Sequence, residues 1–220
     1  MSEGEVKVLG TWASPFSTRV RIALHLKSVN YEYLEENFLE SKSQLLLDSN
    51  PVFKRIPVLI HGDNRPICES LIIVEYIDEV WSSGPSILPC GAYERADARF
   101  WATYVDDKFF PALKRAVVGR SEETKRASMA EVEEGVVVLE KLSKGKAFFG
   151  GDNIGYLDIV IGSVFEWIKV IDECTETQLL SQAPCLLEWG ARFSSHEAVK
   201  DVLPGVAKLA GFGLKLKAKI

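Results

Sequence analysis

The chain has 220 residues and a mass of 24.5 kDa, with 47% hydrophobic and 26% charged residues. That is an ordinary globular composition, and it excludes disordered, collagen-like and coiled-coil chains. The 26 basic and 31 acidic residues leave a net charge of −5 without a basic cluster, so nucleic acid is not an expected partner. No apolar run approaches the ~20 residues that a membrane-spanning helix needs, so no membrane partner is expected either.

Taken in chain order, Val6-Lys7-Val8-Leu9 reads as a short strand. Ser14-Pro15 then opens a helix carrying Phe16, Val20, Ala23 and Leu24, because Ser caps exposed amides and Pro is preset for the first helical position. Residues 31–36 read as a second strand, 42–47 as a short helix and 57–61 as a third strand. The Gly62–Pro66 stretch is a turn, Ile67 and Cys68 form a very short fourth strand, and Ser70 is expected to cap a helix running to Trp81. The order β-α-β-α-β-β-α predicts a parallel core with an antiparallel hairpin at its edge.

Residues 82–92, with the run Ser82-Ser83-Gly84-Pro85, break this rhythm and read as a linker. Beyond them, apolar residues from Tyr93 to Leu113 recur every three to four positions, as in one long amphipathic helix. Met129–Leu139 and Leu157–Ile168 predict two more helices, the latter apolar on most faces and therefore central. Shorter helices are expected over 186–193, 198–203 and 204–215, which makes residues 93–220 an all-α domain.

Nucleotide-binding glycine motifs and HExxH are absent, and His25, His61 and His196 show no metal-ligand spacing, so no metal is expected. Cys68, Cys90, Cys174 and Cys185 form no CxxC and are too few for a disulfide scaffold. The opening residues lack the pattern of a signal peptide, and a reducing, cytosolic setting is the expectation. Chemistry is expected where strand ends meet helix N-termini. Ser14 after the first strand, Ile56-Pro57 before the third and Glu69-Ser70 after the fourth converge there. Taken singly, Ser14 and Ser70 read equally well as helix caps, and Lys42 and Arg55 as surface charges.

Five motifs carry a resemblance over nearly the whole chain. Trp12-Ala13-Ser14-Pro15-Phe16-Ser17-Thr18-Arg19-Val20-Arg21, Asn50-Pro51-Val52-Phe53-Lys54-Arg55-Ile56-Pro57-Val58-Leu59, Cys68-Glu69-Ser70, Arg99-Phe100-Trp101-Ala102 and Phe148-Phe149-Gly150-Gly151-Asp152-Asn153 through Asp158 resemble the plant tau-class glutathione transferases. The resemblance implies a thioredoxin-like, glutathione-binding domain over 1–81 and an all-helical domain over 93–220 that contributes the electrophile pocket. It implies a detoxifying enzyme that conjugates glutathione to hydrophobic electrophiles, with a side activity on organic hydroperoxides. Glutathione is then a co-substrate and no further cofactor is needed. Ser14 is the catalytic residue by similarity. Lys42 and Arg55 hold the glycine carboxylate, Ile56 and a cis Pro57 hold the cysteinyl backbone, and Glu69 and Ser70 hold the γ-glutamyl end. The electrophile pocket falls on Thr11, Trp12, Phe110, Lys114, Trp167, Phe212 and Leu216. Asp158 matches the acidic member of a helix-capping box in which Gly155 replaces the usual Ser or Thr. A thiol–disulfide exchange enzyme on this fold needs a cysteine where Ser14 stands. A non-catalytic carrier of hydrophobic ligands is the alternative. The resemblance also implies a homodimer, for which Glu75, Asp78 and Glu79 are expected to pair with Arg95 and Arg99 across a two-fold axis.

Overall fold

Short aliphatic runs form four strands, β1 (Val6–Gly10), β2 (Glu32–Glu35), β3 (Val58–His61) and β4 (Arg65–Cys68), in a single sheet of order β2-β1-β3-β4. The computed structural model describes residues 5–37, 40–63, 65–119, 121–175 and 177–219. The chain divides into two units, Met1–Leu88 and Pro89–Ile220.

The first unit is thioredoxin-like. Helix α1 (Pro15–Leu26) follows β1, the short α2 (Gln44–Ser49) follows β2, and α3 (Ser70–Val80) follows β4. Only β1 and β2 are parallel; β3 is antiparallel to β1, and β4 to β3. The expected parallel core is thus confined to one strand pair.

Leu34, Leu9, Val58 and Cys68 share one cross-strand row, and Leu46 of α2 packs on that face with Ile60. Val8 and Leu59, one residue out of phase, face the other way, toward the buried stripes of α1 (Val20, Ala23, Leu24) and α3 (Ile73, Val74, Ile77). The unit continues past residue 81. Asp78 accepts the backbone N–H groups of Ile87 and Leu88, both at 2.9 Å, and meets Lys27 Nζ at 2.7 Å. Lys27 also donates to the Pro85 carbonyl at 2.8 Å. Asp78 is therefore committed within its own unit and is withdrawn from the charge pairs expected across a dimer axis. Arg95, expected in those pairs as well, donates to the carbonyls of Pro89 and Cys90.

In the second unit α4 (Ala92–Tyr104) and α5 (Phe110–Val118) are separated by a π-helical turn, Val105–Phe109, where one continuous helix was expected. Pro111 supplies the reason: it has no N–H for the carbonyl four residues back, and its ring crowds that carbonyl, so the preceding turn widens. Helices α6 (Glu122–Ser143), α7 (Tyr156–Thr175), α8 (Pro184–Ser195) and α9 (Val206–Lys219) complete the unit. Residues 198–203 form turns closed by i→i+3 bonds such as Val202 N–H to Val199 C=O (2.8 Å), not the expected helix, and Pro204 follows them.

Helix α7 is buried over nearly its whole length, as its apolar faces predict. Asp158, fully buried in its first turn, accepts from the backbone N–H groups of Phe149, Gly150 and Gly155 and from Trp189 Nε1, at 2.7–2.9 Å. Gly155 thus keeps the backbone half of the capping box without a side chain. Helices α7 and α8 meet through a reciprocal exchange: Phe193 fills the space over Gly162, and Phe165 the space over Gly190. Among the described residues no helix is long and apolar enough to cross a membrane.

Candidate active site

The strand register assembles the site. Gly10 pairs with Glu35, Leu9 with Val58, and Val58 with Cys68, so the next residues outward are Thr11, Glu36, Pro57 and Glu69. Because β1, β2 and β4 leave the sheet where β3 enters it, all four segments emerge at one edge. The three sequence features expected to converge do meet there, through an antiparallel β3.

Ser14 is the N-cap of α1, and its Oγ accepts the Ser17 N–H at 3.4 Å. Its backbone N–H donates to Thr11 C=O and its carbonyl accepts the Thr18 N–H, both at 3.0 Å. Among the described residues the Ser14 hydroxyl accepts and does not donate, so its proton is available to a ligand. The Ile56–Pro57 bond is cis, as the resemblance implies. Pro57 is buried and Ile56 half-buried.

Glu69, not Ser70, occupies the N-cap position of α3, with φ 70° and ψ 117° and no side-chain cap bond. Ser70 is the first helical residue, which corrects its expected capping role. A non-glycine residue at positive φ is strained, and such strain gathers at ligand sites. Here it leaves the Glu69 side chain exposed and Ser70 buried. Ser70 Oγ accepts from Nη1 of the fully buried Arg19 at 3.3 Å, and that guanidinium also lies over the Phe16 ring at 5.0 Å. Like Ser14, Ser70 accepts from the protein and keeps its proton for a ligand.

Lys42 and Arg55 are exposed, and their segments are held from inside. Buried Asn50 donates through Nδ2 to the Arg55 carbonyl (2.9 Å) and accepts the Phe53 N–H at Oδ1 (3.1 Å). Glu36 accepts the backbone N–H of Ser43 at 3.2 Å as well as its hydroxyl, which pins the residue after Lys42. Cys68, beside Glu69, is half-buried and donates weakly to the Ser49 carbonyl at 3.6 Å. Burial, with the nearby Glu69, pushes its thiol above the ordinary range, which makes it a poor nucleophile.

Of the residues expected around the electrophile, Thr11 is buried with its hydroxyl on Glu35 at 2.7 Å, and Trp12 is half-buried. In the second unit Trp167 of α7 and Phe212 of α9 stand edge to face, with centroids 6.5 Å apart. Leu216 lies one turn beyond Phe212, Phe110 begins α5 and is half-buried, and Lys114 is exposed on α5.

Arg19, Glu35, Glu36 and Asn50 escaped the reading of the sequence. Asn50 had a signal, since Asn-Pro opens turns. Glu35-Glu36, a carboxylate pair at the end of a strand, was another.

Comparison with known proteins gives the family. Residues 4–79 match the glutathione S-transferase N-terminal domain and residues 122–192 the C-terminal domain. Glutathione S-transferase U17 of Arabidopsis thaliana is 53% identical over 226 residues, covering 100% of this chain and 99% of the relative. Its sibling U16 is 52% identical, covering 98% and 94%. The crystal structure of a tau-class glutathione S-transferase from mango, Mangifera indica, is 54% identical, with a TM-score of 0.90 over 97% of this chain and 98% of the other. A rice glutathione S-transferase solved in complex with glutathione is 37% identical, with a TM-score of 0.92 over 100% and 99%. The chain belongs to the tau class of the glutathione S-transferase family.

Proposed function

We propose that the protein activates glutathione by a hydrogen bond from the Ser14 hydroxyl to the thiol sulfur and directs the resulting thiolate at hydrophobic electrophiles. The observation that carries this is the state of Ser14: its oxygen receives the Ser17 N–H, and its own proton is left to donate at the N-terminus of α1. A free thiol with pKa ~8.5 is only ~3% ionised at pH 7, and lowering that pKa by ~2 units ionises ~75%. The shift requires ~2.7 kcal/mol of preferential thiolate stabilisation. A hydroxyl donor to a charged sulfur supplies ~1.5–3 kcal/mol, and the helix terminus adds ~0.5–1 kcal/mol. The thiol proton leaves to solvent. The sulfur lone pair then forms the S–C bond as the leaving group departs with its electron pair. Organic hydroperoxides are the side substrates: the same thiolate attacks the terminal oxygen, the O–O bond breaks and the alcohol leaves, and a second glutathione thiol condenses with the resulting sulfenic acid to give glutathione disulfide and water.

Glutathione is held along the sheet edge. Ser70, presented by Arg19 at the start of α3, donates to the γ-glutamyl carboxylate, and Glu69 meets the α-ammonium. The Ile56 backbone beside cis Pro57 pairs with the cysteinyl amide, and Lys42 and Arg55 receive the glycine carboxylate. Arg55 offers a wider donor fork than lysine. For the electrophile, the second unit offers the aromatic pair Trp167–Phe212 with Phe110, Lys114 and Leu216, and the first unit offers Thr11 and Trp12. The protein acts in the cytosol as a homodimer. Large apolar side chains left exposed on each unit, Val52, Phe53 and Ile72 in the first and Tyr93 and Phe100 in the second, support self-association.

The test compares wild type with Ser14→Ala in steady-state turnover of glutathione with a chromogenic aryl halide. Ser14→Ala is expected to raise the pKa of the bound thiol and cut turnover about 10²-fold with the fold intact. Unchanged turnover removes Ser14 from the mechanism. Wild type that binds glutathione yet turns over no electrophile reassigns the protein as a carrier.

A further inference from the structure

The loop between β1 and α1 carries Thr11, Trp12 and Ser14 within four residues, and α1 and β2 share its hold through different groups. Ser14 is fastened to α1, through Ser17 N–H on its Oγ and the Thr18 N–H on its carbonyl. The Thr11 hydroxyl and the Trp12 backbone N–H are fastened to β2, while the Thr11 backbone stays tied to α1 and its cap, its N–H donating to Ser17 Oγ at 3.2 Å and its carbonyl accepting the Ser14 N–H at 3.0 Å. One carboxylate oxygen, Glu35 Oε1, accepts the Thr11 hydroxyl at 2.7 Å and the Trp12 backbone N–H at 3.0 Å. Glu35 is itself fixed: it pairs with Gly10 across the parallel strands, and the next residue donates its N–H to the Gly10 carbonyl at 2.7 Å. Gly10 in turn has no room for a side chain, since a Cβ there would meet Ser17 Oγ and the Tyr33 hydroxyl at 2.7 and 2.9 Å.

We propose that Glu35 is a positioning residue that governs which electrophiles are accepted, by locking the Thr11–Trp12 segment while leaving Ser14 under the control of α1. The inference rests on the function proposed above, because it takes Trp12 as a wall of the electrophile site. The division of labour is chemical. A carboxylate oxygen has lone pairs for both donors and no proton to repel either, so a single side chain satisfies one side-chain and one backbone donor at once. An amide oxygen in the same place keeps both bonds, and a methyl keeps neither. Thr11 is only 7% exposed, so its hydroxyl finds no ready substitute partner when Glu35 is removed. The segment then shifts, and a wall displaced by about 1 Å alters turnover of a large substrate by 10-fold or more. The Ser14 cap on α1 and the Thr11 backbone bonds to Ser17 and Ser14 do not involve Glu35, so thiol activation persists while the Thr11 side chain and Trp12 move.

The experiment measures kcat/KM for a small and a bulky aryl halide, and the pKa of bound glutathione from thiolate ultraviolet absorbance, in wild type, Glu35→Ala and Glu35→Gln. Glu35→Ala is expected to change the bulky-to-small ratio about 10-fold, with the thiol pKa held at its wild-type value. Glu35→Gln is expected to restore the wild-type ratio. An unchanged ratio in Glu35→Ala overturns the proposal, and so does a glutamine variant that behaves like alanine or a thiol pKa that moves with the ratio. If Glu35→Ala does not fold, Thr11→Val, which deletes one of the two donors, must shift the ratio in the same sense; an unchanged ratio there overturns it too. Wild type with turnover and an invariant ratio refutes Glu35 alone, whereas wild type without turnover refutes the function and this inference together.

Discussion

The two serines at the sheet edge work by the same logic. Each has its oxygen occupied by a donor from the protein, Ser17 N–H for Ser14 and Arg19 Nη1 for Ser70, and each keeps a proton to offer. The sequence reveals both serines through their neighbours, Pro15 and Glu69, but not the groups that aim them. Arg19 lies inside a helical stretch where a cation reads as solvated, and only the fold shows it buried against Ser70. Lys27 is a similar case, and its partner Asp78 yields a pH-dependent prediction. Burial pushes the Asp78 carboxyl up, but Lys27 and the N–H groups of Ile87 and Leu88 outweigh it and hold the carboxyl below its ordinary value. A depressed carboxyl contributes stability above its unfolded pKa of ~3.9 and loses it as pH falls through the folded value. Replacing Asp78 by Asn leaves Lys27 buried without its counter-ion, a loss of ~3–5 kcal/mol at neutral pH. Urea unfolding of wild type and Asp78→Asn should therefore differ widely at pH 7 and begin to converge only as pH falls below about 4 toward the lowered folded value. A gap that is constant with pH would show that the pair carries no such linkage.

At the level of elements, the sequence pattern located four strands and most helices, because a short strand or an amphipathic helix writes its buried face directly into the chain; the expected turn over Gly62–Pro66 is shorter, since Arg65 and Pro66 already pair with His61 and Ile60 in β4. Direction and interruption were not legible. The antiparallel entry of β3 is set by its pairing with β1 and leaves no mark in its own residues, and the π-turn before α5 follows from one proline within an otherwise unbroken apolar stripe. Helix contact is a third feature hidden from periodicity. Gly162 and Gly190 read as weak helix formers, yet each is the hole into which a phenylalanine of the other helix fits. Gly190→Ala should gain ~1 kcal/mol of helix propensity and lose more, ~1–3 kcal/mol, to overpacking against Phe165. Gly211 of α9 is exposed and has nothing within 4 Å of an added Cβ, so Gly211→Ala should gain close to the full propensity difference. Thermal melts of the two variants should thus move in opposite directions. A rise in both would mean that Phe165 yields without strain.

For the molecule as a whole, five separated motifs carried the family resemblance: a site built from strand ends scatters three of them along the first unit, and α4 and the segment capping α7 add two. In the proposed function, an acidic protein that binds a tripeptide with two carboxylates relies on local donors, Ser70 and the start of α3 for one, Lys42 and Arg55 for the other, against its overall charge of −5. The proposed homodimer predicts sedimentation at twice the 24.5 kDa of the chain at micromolar concentration. A single species at the chain mass would exclude it, and with Asp78 and Arg95 committed internally the association should depend only weakly on salt. The same register that gathers the binding residues at one edge also empties the other. The hairpin turn at Gly62–Asp63 is exposed and lies at the opposite end of β3 from Pro57. That turn is a natural attachment point: a fluorophore or affinity tag carried there would report on the working enzyme without entering its substrate path.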